Sequence, residues 1–498
     1  MNAPTIDWHE RAAQARFDGR AFIGGQRVPA RDGETFDCIS PIDARLLTRV
    51  ARGRAADVDA AVMSARRSFE DGRWAHKSPA QRKKILQRFS EKILAAREEL
   101  ALMETMDMGK PVQYSLSVDV ASAARTIAWY AEAIDKLYDE VAPAPRSALA
   151  LITREPTGVV GAIVPWNYPM IMAAWKLGPA LAAGNSVVLK PSEKSPLTAL
   201  RLGELAVEAG LPEGVFNVVP GYGHEAGEAL ALHMEVDAIG FTGSTRVGRK
   251  MLEYAGRSNL KRVFNELGGK SAFVVFDDFR DLERAATTVA GSMFFNQGES
   301  CNAPSRVFVH RRVADEFVRI VAAEAPRYAP GDPLSGSAEM GAIVDDTQLR
   351  TVLGYIDAGR GEGAQLVAGG QRVRVDSGGY FVEPTVFDAV DNGMKIAREE
   401  IFGPVLSVIR FDTEAEAIAM ANDSAYGLQA SVWSHDINRA HRVARALRAG
   451  TVHVNQYDED DITVPFGGVK QSGNGRDKSL HAFDKVTELK TTWVRIDP

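Results

Sequence analysis

Cysteine is nearly absent: the 498 residues hold two, Cys38 and Cys301. Two cysteines cannot build a disulfide framework, and no Cys/His cluster has zinc spacing, so no metal site is expected. No apolar run is long enough to span a bilayer. A basic excess is missing as well. The 59 Lys and Arg against 65 Asp and Glu leave a net charge of −6, which argues against nucleic acid as a partner, and without an apolar span no membrane partner is expected. Residues 1–17 include Asp7 and Glu10 and lack a continuous apolar core, so they do not read as a secretory signal. Internal repeats, low-complexity segments and a GxGxxG fingerprint are also missing; Gly221-Tyr222-Gly223 is only a fragment of the last. What is present is 45% hydrophobic and 25% charged residues, as in an ordinary globular protein of two or three domains. A reducing cytoplasm fits, and it would keep Cys301 as a thiol.

A lone cysteine is most often a buried small hydrophobe. Cys301 has a different setting. It lies in the polar turn Phe295-Asn296-Gln297-Gly298-Glu299-Ser300-Cys301-Asn302, after an apolar helix and before a strand at 307–310. Upstream, Glu266-Leu267-Gly268-Gly269-Lys270 offers a carboxylate on a polar loop whose glycines let backbone approach a ligand. A cysteine nucleophile paired with a carboxylate base is a known catalytic arrangement.

Along the chain, residues 22–50 read as short strands, with a hairpin turning at Gly24-Gly25. Residues 55–106 carry helical periodicity, and a further helix is expected over 115–134. The segments 149–156 and 488–496 stand outside the main alternation and suggest a small oligomerisation sheet. Between 158 and 276, strands at 159–164, 186–189, 215–219, 238–241 and 272–276 alternate with helices, including 197–209 and 247–254. That pattern predicts βαβ units and a parallel sheet. A second α/β stretch follows Cys301, with helices at 313–323, 346–357 and 414–422 and strands at 381–387 and 406–411.

Ligands of such sheets bind beyond the carboxyl ends of the strands. The loops there are Pro165-Trp166-Asn167-Tyr168-Pro169, Lys190-Pro191-Ser192-Glu193, Pro220-Gly221-Tyr222-Gly223 and Thr242-Gly243-Ser244-Thr245. The last opens a helix and suits a pyrophosphate, although Ser244 and Thr245 also read as a plain helix cap. The row of loops points to a dinucleotide.

Seven motifs, PWNYP, LKPSEKSP, FTGST, ELGGK, FFNQGESC, EEIFGPV and PFGGVKQSG, occur in an order that resembles the aldehyde dehydrogenase superfamily over nearly the whole chain. The tail 472–483 and the stretch 129–136 are similar to bacterial enzymes of putrescine catabolism, which oxidise γ-glutamyl-γ-aminobutyraldehyde and related aminoaldehydes. The resemblance implies an α/β fold. A Rossmann-like NAD(P)-binding domain would take 1–137 and 158–268, a catalytic domain 269–470, and an oligomerisation arm with the C-terminal segment 138–157 and 471–498. It implies a homodimer or homotetramer.

By the same resemblance Cys301 is the nucleophile, Asn167 and the Cys301 backbone N–H hold the oxyanion, and Glu266 activates water. Taken singly, Glu266 reads as a solvated carboxylate and Asn167 as a turn former. Lys176 and Asp477 resemble a proton-relay pair, where many relatives have glutamate in place of Asp477. Lys190 and Glu193 match the adenosine ribose site, and Glu193 would repel a 2′-phosphate, favouring NAD, although related enzymes also accept NADP. Trp166 and Ser244 match pyrophosphate contacts, and Glu400 and Phe402 position the nicotinamide side. Val164, Pro165, Ser192, Gly223, Phe241, Gly243, Leu267 and Gly268 complete the expected cofactor site. Tyr168, Trp175, Tyr457 and Phe466 are expected to wall the substrate pocket.

Three departures from the family pattern stand out. Glu299 replaces a common glutamine and would raise the Cys301 pKa unless it faces solvent or pairs with a base. Pro304 replaces a glycine and should stiffen the turn. Asp458-Glu459-Asp460-Asp461 lines the tunnel mouth by family register; it reads either as a solvated loop or as an attractor for cationic aldehydes, with Asp458, Glu459 and Asp461 in the pocket. The reaction expected is NAD(P)-dependent oxidation of an aldehyde to an acid through a cysteine thioester. Alternatives are the same chemistry on an aromatic or pyridine-linked semialdehyde, a Cys/Glu hydrolase, and a catalytically silent relative.

Overall fold

Two seven-stranded sheets organise the chain. In the computed structural model, which describes residues 6–458 and 461–497, the first sheet has the order Arg262–Glu266, Ala238–Thr242, Val159–Ile163, Ser186–Lys190, Phe216–Val218, Ala21–Ile23, Gln26–Val28. The first five run parallel, and the N-terminal hairpin joins antiparallel through Phe22 and Val218. Val159–Ile163 and Ser186–Lys190 are buried at every position, as central parallel strands covered on both faces must be. From Val159–Ile163 the chain winds to one side through Ser186–Lys190 and Phe216–Val218. It then returns on the other side as Ala238–Thr242. A crevice therefore opens beyond the carboxyl end of Val159–Ile163, at the point where the winding reverses.

The second sheet has the order Gln365–Ala368, Thr385–Asp388, Val405–Phe411, Arg306–His310, Ala272–Val275, Gln429–Trp433, Thr451–Val454. All neighbours are parallel except the first pair. The link 267–271 runs from the carboxyl edge of the first sheet to the amino edge of the second.

Several expectations change here. The segment 272–276 does not continue the first sheet; its place is taken by Arg262–Glu266, an edge strand whose polar residues conceal the pattern. Glu266 accordingly ends a strand and is not a loop residue. The strand expected over 381–387 breaks into Phe381–Val382 and Thr385–Asp388 around Pro384, which has no N–H to donate. The helix expected over 115–134 begins as a π-helical turn, Ser115–Val120, before the α-helix Ala121–Ala133.

A third, small sheet pairs Thr487–Arg495 antiparallel with Ala148–Pro156, which also pairs with Glu140–Ala142. The two separated segments read as partners from the sequence do meet.

Candidate active site

The turn that carries Cys301 is held against its own preference. Asn296 and Gln297 have φ of +49° and +59°, and Gly298 follows at +68°. Left-handed non-glycine residues cost of order 1–3 kcal/mol each and persist only where their surroundings fix them. Asn296 Nδ2 donates to the Asn167 carbonyl at 3.0 Å and the Glu299 carbonyl at 3.2 Å. Gln297 Oε1 accepts from the Gly341 N–H at 3.1 Å. A Cβ on Gly298 would lie 2.4 Å from the Gly403 oxygen, so the turn needs glycine there. Cys301 emerges half-buried.

The loop after Val159–Ile163 is tied to the residues just before Cys301. Asn167 is buried, and its Nδ2 donates to the Glu299 carbonyl at 2.8 Å. Tyr168 Oη and Ser300 Oγ lie 2.6 Å apart. Glu299 is fully buried, and its Oε1 accepts from the Val344 N–H at 3.1 Å. Burial pushes its carboxyl well above the usual range and holds it toward the neutral form. Glu299 thus neither faces solvent nor pairs with a base. Cys301 is raised well above an ordinary thiol by burial first, then by Glu266, Glu400 and Asp458.

Glu266 is buried, and neither carboxyl oxygen has a hydrogen-bond partner among the described residues. Burial, then the charge of Asp477, pushes it well above the carboxylate range against the pull of Lys176, Lys485 and Arg476. Lys176 Nζ lies 2.5 Å from Asp477 Oδ2, and Lys485 bonds the other oxygen. Burial works against the charge on Asp477, yet the two lysines hold it below the usual value. Lys485 escaped the sequence reading, since nothing marks a lysine in a polar tail as buried.

The loops expected to hold a cofactor follow the carboxyl ends of the first sheet's strands. Val164 is buried beside Pro165 and Trp166, whose carbonyl accepts from Ser195 Oγ at 3.1 Å. Lys190 is buried and its Nζ lies 3.2 Å from Glu193 Oε2. Burial lowers the Lys190 pKa. Ser192 Oγ accepts from the Lys194 N–H at 3.3 Å. Gly223 opens a π turn, Gly223–Gly227. Ser244 caps the helix Thr245–Arg257 by accepting from the Val247 N–H at 3.4 Å, directly after Gly243 and near the buried Phe241 ring. The plain cap reading therefore holds, and it leaves the helix's positive end facing the crevice.

Gly268-Gly269 is a backbone-thin strip between two functional groups. A Cβ on Gly268 would sit 2.0 Å from Glu400 Oε2, and one on Gly269 would sit 2.3 Å from the Cys301 carbonyl oxygen. Glu400 Oε1 accepts from the Gly269 N–H at 3.0 Å, and burial pushes its carboxyl up to about 7. The strip is pinned by Leu267 N–H to the Ser472 carbonyl (2.9 Å) and by Ser472 Oγ to the Gly268 carbonyl (2.7 Å). Phe402, at φ +56°, meets the Trp166 ring edge-on with centroids 5.1 Å apart. A helix terminus for phosphate, a partly exposed carboxylate at Glu193 and a slot kept open by glycine fit a dinucleotide.

Beside Cys301 and Asn302 lies a cavity of about 530 Å³, walled by Tyr168, Trp175, Tyr457 and Phe466, with Phe295, Ser117, Val118, Ala121, Ser122 and Arg125 added. Tyr457 Oη donates to the Asn302 carbonyl at 2.6 Å. Asp458 is reached by solvent but recessed in protein. Asn302 Nδ2 donates to it at 2.6 Å, and the desolvation of the recess pushes its carboxyl up to about 6. Asp461 does not line the cavity; it turns back to accept from Thr463 N–H and Oγ1. Glu459 lies outside the described residues. The two described ends of the acidic run thus divide: Asp458 is held by Asn302, and Asp461 folds back on Thr463.

A half-buried cysteine and a buried carboxylate without a hydrogen-bond partner among the described residues thus stand where two α/β sheets meet. The chain belongs to the aldehyde dehydrogenase family, which matches residues 28–492. It is 51% identical over 490 residues to the NADP/NAD-dependent aldehyde dehydrogenase PuuC of Escherichia coli (strain K12), covering 98% of each chain. Among solved structures it resembles a γ-glutamyl-γ-aminobutyraldehyde dehydrogenase from Burkholderia cenocepacia (58% identity, TM-score 0.97, 99% of each chain). It also resembles an indole-3-acetaldehyde dehydrogenase complexed with NAD+ (57% identity, TM-score 0.98, 99% of this chain and 100% of the other).

Proposed function

We propose that the chain oxidises an aldehyde to its carboxylic acid with NAD, by way of a thiohemiacetal and a thioester on Cys301. The observation that carries this is the position of Cys301 at the base of the cavity, separated from Glu400 only by Gly268-Gly269. The Cys301 thiolate forms a C–S bond to the aldehyde carbon, and the carbonyl electron pair moves onto oxygen. The second N–H of the Asn167 amide and the Cys301 backbone N–H hold that oxyanion; losing one such donor costs roughly a hundredfold or more. NAD supplies the hydride acceptor, and a thioester is left on Cys301. Glu266 takes a proton from water, the water oxygen adds to the thioester carbon, and the acid leaves as the thiol is restored. A carboxyl raised by burial is suited to that proton transfer. Lys176, Asp477 and Lys485 lie behind Glu266 and carry the proton away.

Trp166 and Ser244 would hold the pyrophosphate, Lys190 and Glu193 the adenosine ribose, and Glu400 with Phe402 the nicotinamide end. Glu193 favours NAD by repelling a 2′-phosphate. The cofactor domain takes 1–137 and 158–268, the catalytic domain 269–470, and the arm the remainder. The arm supports a homodimer or homotetramer, because Leu489 (61% exposed) and Trp493 (64% exposed) stand on its outer strand.

The substrate is an aminoaldehyde or a γ-glutamyl aminoaldehyde, supported by Asp458 in the cavity wall and by the names of two relatives. Aromatic walls, and the name of the indole-3-acetaldehyde relative, support an aromatic aldehyde as the second reading. NADH and NADPH formation with 4-aminobutanal, its γ-glutamyl derivative, indole-3-acetaldehyde, benzaldehyde and propanal tests both. Preference for the first two supports the amino reading. Preference for the aromatic pair replaces it, and absence of nucleotide reduction with every aldehyde rejects the activity.

A further inference from the structure

Of the side chains that wall the cavity, only Arg125 and Asp458 carry a formal charge among the described residues, with His453 counted neutral. They stand on different walls. Asp458 is bonded to Asn302, the residue next to the nucleophile, at 2.6 Å. Arg125 is exposed, on the helix Ala121–Ala133. Ser117, Ala121 and Arg125 follow at intervals of four and form one stripe of the wall. No hydrogen bond or ion pair joins Arg125 to a described residue, although, after the bonds from Thr463, its charge helps hold Asp461 below the usual carboxylate value. Ser122, also in the wall, places a hydroxyl beside it.

A lysine borders the same wall. The Lys478 ammonium lies 5.6 Å from the Trp175 ring centroid and 5.9 Å from that of Phe466, and both rings line the cavity. Burial first, then the charge of Arg125, brings Lys478 down to about 8. An acidic mouth would favour cations alone. Among the described residues this cavity instead carries one carboxylate, bonded beside the nucleophile, and one guanidinium on its helical wall.

We infer that Arg125, with Ser122, forms a carboxylate receptor at the outer end of the cavity. The aldehydes favoured are then those whose far end is anionic, with any N–H of the chain set against Asp458. This rests on the reading of the cavity as the aldehyde site, and it narrows the substrate class from cationic aminoaldehydes to those acylated or extended by a carboxylate. A guanidinium suits this task because its planar donors match a carboxylate pairwise.

The test compares glutarate semialdehyde with pentanal, similar chains with and without the carboxylate, in the wild type, Arg125→Met and Arg125→Lys. In the wild type the KM for pentanal should exceed that for glutarate semialdehyde by about 10- to 100-fold. In Arg125→Met that ratio should collapse toward one, with Arg125→Lys between. A wild-type ratio near one, or a ratio that survives Arg125→Met, overturns the inference. A second measurement needs no turnover: protection of Cys301 from iodoacetamide by glutarate against valerate. Selective protection by glutarate that Arg125→Met removes supports the receptor even if no aldehyde is oxidised. Equal protection by the two acids in the wild type overturns it.

Discussion

Cys301 sits among acidic neighbours, and its chemistry depends on when they are charged. Asp458 has its carboxyl pushed up to about 6, so it is an anion at neutral pH and a neutral group in mild acid. As an anion it holds the Cys301 thiol up. Asp458→Asn should therefore lower the apparent pKa for alkylation of Cys301 by iodoacetamide, giving about threefold to tenfold faster reaction above about pH 6 and no difference below it. An unchanged profile would remove Asp458 from the set of groups acting on the thiol. At this scale the motif residues are neighbours: Glu400 and the Cys301 carbonyl flank Gly268-Gly269, Glu266 leads into that strip, and Asn167 bonds the turn before Cys301. Lys485 and Arg125 were not legible, because an isolated Lys or Arg outside any motif has the same sequence whether it faces water or a cavity. Glu299 was legible as a departure, but its burial against Val344 depends on a contact 45 positions away.

Among the elements, the π-helical turn Ser115–Val120 and the end of the helix Arg97–Met108 enclose a charge cluster beneath the cavity wall. Lys110 is fully buried, with Nζ 2.6 Å from Asp119 Oδ1, 4.0 Å from Glu104 Oε1 and 4.1 Å from the Tyr168 ring centroid. Breaking a buried pair from one side typically costs about 3–5 kcal/mol, so Lys110→Met should lower stability by that order in a denaturant titration. Burial, then Asp119, pushes Glu104 well above its ordinary value. A carboxyl raised on folding contributes its stability below the unfolded pKa and loses it as pH rises through the folded one. Glu104→Gln should therefore gain on the wild type as pH increases; a constant difference would contradict this. Elements were readable where apolar runs or helical periods were strong, as in Val159–Ile163 and the helix Glu414–Asn422. They were unreadable where an edge strand carries polar residues, as Arg262–Glu266 does, or where Pro384 splits one apolar run between two sheets.

The whole molecule places its chemistry where the carboxyl edge of one sheet meets the amino edge of the other, so neither sheet alone holds a complete site. The arm lies apart from this junction. Its outer strand, Thr487–Arg495, shows Leu489 and Trp493 on one face, since positions four apart in a strand share a side. Leu489→Asp with Trp493→Asp should shift the mass measured by light scattering to that of a monomer, and an unchanged assembly would assign the interface elsewhere. The covalent step on Cys301 is the central claim. Glu266→Gln, mixed with NAD and a turned-over aldehyde, should release a single burst of NADH. Mass spectrometry of the peptide containing Cys301 should then show the acyl group of that aldehyde, only when NAD is present. Acylation that needs no NAD, or steady turnover with Cys301 unmodified, would contradict the account.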